Sequence, residues 1–145
     1  RFVSCLLLVF APTIFFFAVN AAHGGEREVL YKGQWESDGF FTTLKVSWEI
    51  VREGNKEVLV LGGDFKTSKG PDLKIFLSKL PLDKINGNNA AGKGTSVRVA
   101  ELKVFSGKSA YVIPPSVILH EYKSVVIHCE AYSKLWGGSS LKKVG

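Results

Sequence analysis

Two neighbouring residues in the most strongly β-forming stretch of the chain, His128 and Cys129, have side chains that can do chemistry. Side chains alternate between the two faces of a strand, so Cys129 shares its face with the apolar residues Val125 and Ile127. The pattern predicts that Cys129 points into a core, whereas His128 points towards water or a groove. Because the two side chains would lie on opposite faces, we do not expect them to act together on one substrate.

A cysteine on an apolar face has two interpretations. The first is a small buried side chain that only fills the core, as most free cysteines do. The second is a redox thiol, whose reactivity depends on its environment and exposure. The residues of the stretch alone leave both interpretations open for Cys129.

The sequence lacks the motifs of hydrolysis, nucleotide binding and metal catalysis, which favours a non-enzymatic protein. It contains no Gly-x-Ser-x-Gly elbow. Residues 87–94 resemble a phosphate loop but have Gly where Ser or Thr would bind magnesium. No Met is present and no His follows Cys129, so a blue-copper ligand set is incomplete. The chain has 2 cysteines, and they are too far apart for a Cys-x-x-Cys-His haem attachment site. We therefore expect no metal, nucleotide or other cofactor within this chain.

The first 21 residues predict a signal peptide and hence an exported protein. Arg1 is followed by an apolar run over 2–19 and by small residues, with no charge before Glu26. Because the chain contains no Met, we expect the basic start of the signal to be truncated. We predict cleavage near Ala21, a tether over residues 22–28 and one domain over residues 29–142. The protein would be secreted, or lie in the periplasm or cell envelope; an uncleaved N-terminal membrane anchor is the alternative.

Charge and cysteine content limit the classes of partner that we expect for this chain. The net charge of +6 is spread along the chain without a basic stripe interleaved with aromatic residues, so we expect no nucleic-acid partner. Removal of the signal would leave Cys129 as the single cysteine, and an internal disulfide could not form. An intermolecular disulfide through Cys129 stays open.

Short alternating segments separated by turn residues predict an all-β fold, and no stretch shows a helical period over ten or more positions. The clearest element is a hairpin of strands 43–50 and 57–61, joined by a turn at 53–56. Further strands are predicted at 29–35, 71–77, 95–102, 109–113 and 124–132, with 135–141 closing the domain. The pattern is typical of a single-domain antiparallel β-sandwich or a barrel-like sandwich. The stretch from Lys79 to Lys93, rich in Pro, Asn and Gly, predicts a long, mobile surface loop.

Four segments, in this order, resemble the DM-thirteen domain family. They are residues 65–73 leading into 75–77, residues 99–103 with Gly107, residues 109–114, and residues 122–129. The resemblance implies a β-rich secreted or periplasmic domain, found in some proteins beside DOMON domains and cytochrome-type membrane partners. It also implies electron transfer, with the family cysteine as the redox centre.

The family cysteine corresponds to Cys129, and Gly70, Pro71, Asp72 and Tyr111 match positions with a structural role. We expect the Asp72 carboxylate to accept backbone N–H groups and fix the turn after Pro71.

Three residues form the predicted flanking shell of Cys129, and each departs from the family pattern. His128 replaces an aromatic residue, often Trp, and Tyr132 replaces Phe; Trp136, within residues 135–137, replaces a simpler Phe-Gly. The partner implied is a membrane or envelope redox protein, which would itself carry haem or another redox cofactor.

Two functions follow from these observations. The first is an exported redox module that acts through Cys129. The second is an envelope binding or adhesion module, in which Cys129 only fills the core and exposed aromatic residues around Trp35 to Phe41 and Trp136 contact a polysaccharide or a protein.

Overall fold

The computed structural model describes residues 25–37 and 46–145. The predicted signal peptide, residues 22–24 of the tether and residues 38–45 lie outside this part of the chain. The first strand begins at Arg27, two residues before the predicted start of the domain. Within residues 25–37 and 46–145, no helix is long and apolar enough to cross a membrane.

The described chain is all-β, as predicted. Its strands are β1 (Arg27–Ser37), β2 (Val46–Glu53), β3 (Lys56–Leu61), β4 (Leu73–Ser78), β5 (Ser96–Glu101), β6 (Ser109–Val112), β7 (Ser124–Cys129) and β8 (Lys134–Ser140). Single turns of 3₁₀ helix lie at Leu82–Lys84, Leu119–Glu121 and Glu130–Tyr132.

The strands form one antiparallel sheet in the order β5-β4-β7-β8-β1-β2-β3-β6. β1 joins the two halves of the sheet, because it pairs with β2 over most of its length and with β8 at Glu36 and Ser37. The edge strands β5 and β6 approach each other without pairing. The sheet is therefore a nearly closed barrel, which confirms the predicted barrel-like sandwich.

The β2–β3 hairpin shows how the sequence pattern sets the register. Trp48 and Ile50 face the core opposite Leu61 and Leu59 of β3. The turn is completed by Gly54 with φ of 61°, a conformation that glycine adopts without a steric penalty. The predicted hairpin is confirmed over the described residues.

One main hydrophobic cluster fills the barrel. Its largest fully buried members come from strands on all sides and include Ile50, Leu59, Leu61, Ile75, Leu77 and Ile127. Two smaller clusters lie on the outside of the sheet. One contains Phe76, Ile85, Ala90 and Val126, and the other contains Val51, Val58 and Val60.

The stretch 79–93 differs from its prediction as a mobile surface loop, because it is folded onto the outer face of β4 and β7. Ile85 and Ala90 are buried in the outer cluster on that face. The backbone N–H of Ala90 donates to the Asn86 carbonyl at 3.0 Å, and the Asn86 N–H donates to the Asn89 side chain at 2.8 Å. These bonds hold the loop in a defined conformation while its apolar side chains cover the sheet.

Candidate functional site

The segments that carry the family-like residues meet at one end of the barrel, called here the Cys129 end. β7 ends there at Cys129, and β4 and β8 begin there. The connections at this end, within the described chain, are residues 62–72, 102–108 and 130–133. The antiparallel topology thus brings together residues that are far apart in the sequence.

Cys129 is the last residue of β7 and lies between two neighbouring strands. In register it is opposite Leu73 of β4 and Lys134 of β8. Its side chain is 0% exposed and belongs to the main core cluster, together with Val125 and Ile127 of the same strand. The predicted inward orientation is confirmed. The thiol has no access to solvent in this conformation.

His128 does not face water or a groove, so that prediction was wrong. The loop 79–93 covers its face of the sheet, and its side chain is 3% exposed. Its Nε2–H donates to the Gly87 carbonyl at 2.8 Å, while Nδ1 is buried without a hydrogen-bond partner. The ring packs against Phe76 in a T-shaped arrangement, with centroids 6.1 Å apart. His128 and Cys129 do lie on opposite faces, as expected.

Gly87 allows the loop to approach β8 closely. A Cβ at this position would lie 1.9 Å from the backbone oxygen of Ser133. Any side chain would therefore push the loop away from the sheet and from His128. The glycine of the phosphate-loop-like stretch has a packing role here.

Trp136 reaches the core through an irregularity in the pairing of β7 and β8. The register shifts between Ile127 and His128, and Trp136 is the extra residue on β8. Such a bulge re-aims side chains relative to simple alternation. Trp136 belongs to the main core cluster with 5% exposure, and its indole Nε1–H donates to the Thr67 hydroxyl at 3.0 Å.

Tyr132 is directed into solvent and is 69% exposed. It ends the 3₁₀ turn that follows Cys129, and Ser133, with φ of 49°, returns the chain to β8. Of the three predicted flanking side chains, only Trp136 shares the core with Cys129. His128 lies on the opposite face of β7.

The Gly70-Pro71-Asp72 turn supports the strand next to Cys129. A Cβ on Gly70 would lie 2.8 Å from the side chain of Leu73. The Asp72 carbonyl accepts the backbone N–H of Glu130 at 3.2 Å, which extends the β4–β7 pairing by one step. We expected the Asp72 carboxylate to accept backbone N–H groups. It instead pairs with Lys74 at 3.1 Å, because β4 places that ammonium beside it.

Tyr111 makes packing contacts from the edge strand β6. It lies on β6, is half-buried and packs against the main core cluster. Its hydroxyl is buried without a hydrogen-bond partner.

An ion cluster lies on the outer side of the Cys129 end. The Lys74 ammonium contacts the carboxylates of both Asp72 and Glu130. The hydrogen bonds to Glu130 first, and to Asp72 second, raise the pKa of Lys74 above its ordinary value. The cluster fixes the turn after Cys129 to the start of β4. The sequence pattern does not reveal this cluster, because Asp72 and Glu130 are distant in the chain.

A groove of about 390 Å³ lies beside the Gly70-Pro71-Asp72 turn. It is lined by Gly70, Pro71, Asp72, Leu73, Glu101, Leu102, Lys103 and Phe105. Leu73 is thus a wall of the groove and also the β4 neighbour of Cys129. Over residues 25–37 and 46–145, no group of three or more His, Cys, Asp or Glu is arranged to hold a metal ion.

The fold and this site define a small all-β domain with a buried thiol beneath the connections at one end of the barrel. The family model described as "Electron transfer DM13" matches residues 42–141, and the chain belongs to this family. The match includes the Gly70-Pro71-Asp72 turn, Cys129 and Trp136. Searches of curated proteins and of solved structures found no match. The family description supports a general role in electron transfer.

Proposed function

We propose that this chain is an exported electron-transfer module in which the thiol of Cys129 is the redox group. The observation that carries the proposal is the position of Cys129 at the end of the barrel where the family-like segments meet. Cys129 is also the free cysteine among the described residues. Because no Met occurs in the chain, its thiol is the single sulfur atom of that part of the chain. The apolar N-terminal run supports export.

A lone cysteine transfers electrons by exchange with the sulfur atoms of partners. The Cys129 thiol loses its proton, and the thiolate attacks one sulfur of an acceptor disulfide. A mixed disulfide forms, the acceptor's S–S bond breaks, and its second sulfur leaves as a thiolate that takes up a proton.

A donor dithiol completes the cycle. One donor thiolate attacks the Cys129 sulfur of the mixed disulfide and releases the acceptor's other sulfur as a thiolate. The second donor thiolate then forms an internal disulfide in the donor and releases Cys129 as a thiolate. Two electrons pass from the donor to the acceptor, and the chain returns to its starting state.

The burial of Cys129 has a direct consequence for this chemistry. The thiolate is the reactive species, and it must approach the partner disulfide in line with the S–S bond that breaks. The closed conformation therefore protects the thiol from adventitious oxidation, and exchange requires a local opening of the Cys129 end.

A binding or adhesion module is the second candidate, and the complete burial of Cys129 favours it. Of the aromatic residues expected to make its contacts, Phe40 and Phe41 lie outside the described part of the chain, and the two described tryptophans are buried. Trp35 and Trp136 are 4% and 5% exposed. Tyr132 remains as an exposed aromatic side chain at the Cys129 end.

The test uses oxidised glutathione as the acceptor disulfide, with the full chain carrying Cys5→Ser so that Cys129 is its single thiol. We expect one glutathione adduct per chain under native conditions, released again by a dithiol. A Cys129→Ala variant should form no adduct. If the adduct forms only as fast as the protein unfolds globally, the redox proposal is rejected and the binding or adhesion module remains.

Val125→Ala is the matched control, because Val125 is fully buried on the same face of the same strand. It should lower the free energy of unfolding by about 1–3 kcal/mol. If exchange proceeds by local opening, the adduct should form at a rate within about twofold of the parent. If the rate of adduct formation instead rises by the same factor as the population of globally unfolded protein, the thiol reacts from the unfolded state. The redox proposal then fails.

A further inference from the structure

The barrel is open between its two edge strands, β5 (Ser96–Glu101) and β6 (Ser109–Val112), and this opening is called here the seam. No strand within residues 25–37 and 46–145 pairs with the outer edge of either one. The outer edge of a sheet exposes backbone N–H and C=O groups that can pair with another chain. The seam is therefore a place where a further strand could be added.

The backbone groups at the free edge of β6 follow from its pairing with β3. The Ile113 N–H donates to the Glu57 carbonyl at 2.8 Å, on the β3 side. Residue pairs of an antiparallel ladder alternate between bonded and non-bonded positions, so Ala110 and Val112 direct their N–H and C=O groups away from β3. Both residues are exposed. The β3–β6 register has no shift, so this free edge is regular.

The opposing edge of β5 is less suited to pairing. The β4–β5 register shifts between Ile75 and Phe76, and Val99 is the extra residue on β5. A bulge of this kind bends an edge strand and interrupts its ladder of hydrogen bonds. A chain that enters the seam should therefore pair with β6.

The edge strands also carry hydroxyls that are buried without a partner. Over the part of the chain that the structure describes, every buried hydroxyl without a hydrogen-bond partner lies on an edge strand: Ser96 on β5, and Ser109 and Tyr111 on β6. Buried polar groups in folded proteins are nearly always hydrogen-bonded. An added strand would bring hydrogen-bonding groups to this side of the barrel.

A groove of about 720 Å³ lies along the seam, and cations predominate in its lining. Arg98, Lys103 and Lys108 line it together with one carboxylate, that of Glu101. Glu101 pairs with both Arg98, at 3.4 Å, and Lys103, at 3.5 Å. One carboxylate thus serves two of the three cations, and the lining keeps a positive excess. Charge complementarity favours a segment that carries carboxylates.

We propose that the seam is a docking site for an extended segment of a partner protein, which adds to β6 as a strand. Its backbone pairs with Ala110 and Val112, and its carboxylates lie beside Arg98, Lys103 and Lys108. A second copy of this chain is a poor occupant, because it would bring the same cations to the seam. The proposal goes beyond the redox function and does not depend on the thiol.

The test adds a capped hexapeptide of alternating Glu and Val to the full chain with Cys5→Ser. In an extended peptide of this kind the carboxylates share one face and the valines the other. Binding should slow the hydrogen exchange of the Ala110 and Val112 amides, followed by NMR. The Tyr111 amide, which faces β3, should stay unchanged. A dissociation constant above about 1 mM would overturn the proposal, as would equal binding of the peptide with Lys in place of Glu.

Backbone methylation of the peptide separates strand pairing from charge attraction. The N–H groups of alternate strand residues face the same edge, so methyl groups on the Glu nitrogens block one edge and those on the Val nitrogens block the other. We expect at least one of the two methylated peptides to bind about tenfold more weakly than the unmodified peptide. Unchanged binding by both would show that no strand is added.

Charge variants test the groove lining. Lys103→Gln with Lys108→Gln removes two of the cations and should weaken binding by about three- to tenfold. Lys84→Gln with Lys123→Gln is the matched control, because both side chains are exposed and neither lines the groove. The control should stay within about twofold of the parent. Equal weakening in the two double variants would mean that the peptide is held by the overall charge, and would reject the site.

Ala110→Pro removes a backbone N–H at the free edge without removing a bond to β3. Proline is tolerated on an edge strand where the N–H faces outwards. This variant should lose peptide binding while the Tyr111 amide keeps its slow exchange, which reports that the β3–β6 pairing is intact. Sedimentation of the chain alone should show a monomer. A dimer that dissociates in Ala110→Pro would assign the edge to a second copy and overturn the proposal.

The two proposals fail separately, because one test measures peptide binding and the other measures exchange at sulfur. Peptide binding without any glutathione adduct would support the docking site and reject the redox role of Cys129. Adduct formation without peptide binding would support the redox role and reject the docking site.

Discussion

Gly87→Ala should detach the loop 79–93 from the outer face of the sheet. The added Cβ would lie 1.9 Å from the Ser133 oxygen, and real Cβ atoms essentially never approach closer than 3.0 Å. The obstacle is backbone at the start of β8, which is fixed by its pairing with β7. The loop must therefore retreat by more than about 1 Å.

The cost can be estimated from the contacts that this movement breaks. The His128–Gly87 bond of 2.8 Å would be lost. Both ring nitrogens of His128 would then be buried without a partner, at a cost of about 1–3 kcal/mol. Looser packing of Ile85 and Ala90 adds about 1 kcal/mol, and the reduced freedom of the unfolded chain returns about 0.5 kcal/mol. We expect the free energy of unfolding to fall by about 1.5–3.5 kcal/mol.

Equilibrium unfolding in urea, followed by tryptophan fluorescence, measures this loss. Gly63→Ala is the matched control, since a Cβ there would meet nothing within 4 Å. The control should stay within about 0.5 kcal/mol of the parent. A loss below about 1 kcal/mol in Gly87→Ala would show that the loop does not depend on its contact with β8.

Two further predictions concern charged groups. Because Glu130 and Asp72 raise the pKa of Lys74, its contribution to stability is present below the ordinary value of about 10.4 and is lost as the pH rises through the folded-state value. Lys74→Met should therefore be less stable than the parent at about pH 8, and the difference should shrink in urea titrations at higher pH; a constant difference would contradict the ion cluster. The Ser47 N–H, at 3.0 Å, lowers the pKa of Asp64, so its contribution is present above about pH 4 and is lost as the pH falls through the folded-state value. Asp64→Asn should lack this acid-dependent loss, measured as the urea midpoint below about pH 5; equal acid dependence in both proteins would refute the assignment.

The fold was predictable because strand alternation is a local property. The two-residue period puts Trp48 and Ile50 on one face of β2 and predicts Cys129 on the inner face of β7, and all three lie in the main core cluster. Turn residues such as Gly54 marked the hairpin correctly. Each of these predictions depends on residues close together in the chain.

The surroundings of Cys129 were less predictable, because they depend on contacts between distant segments. His128 is buried by a loop some 40 residues earlier, through Gly87. The apolar residues Ile85 and Ala90 within that loop were the available signal that it covers a surface. The bulge that turns Trp136 inward follows from the pairing of two strands, and alternation within β8 alone does not reveal it.

The position of β1 in the sheet has a consequence for the order of folding. β1 is an early segment of the chain, yet it closes the sheet by pairing with β8, about 100 residues later. A chain synthesised from its N-terminus cannot join the two halves until its last strand has emerged. Until then β7 has an uncovered edge, and the pairing that completes the sheet is also the step that seals the sulfur inside it.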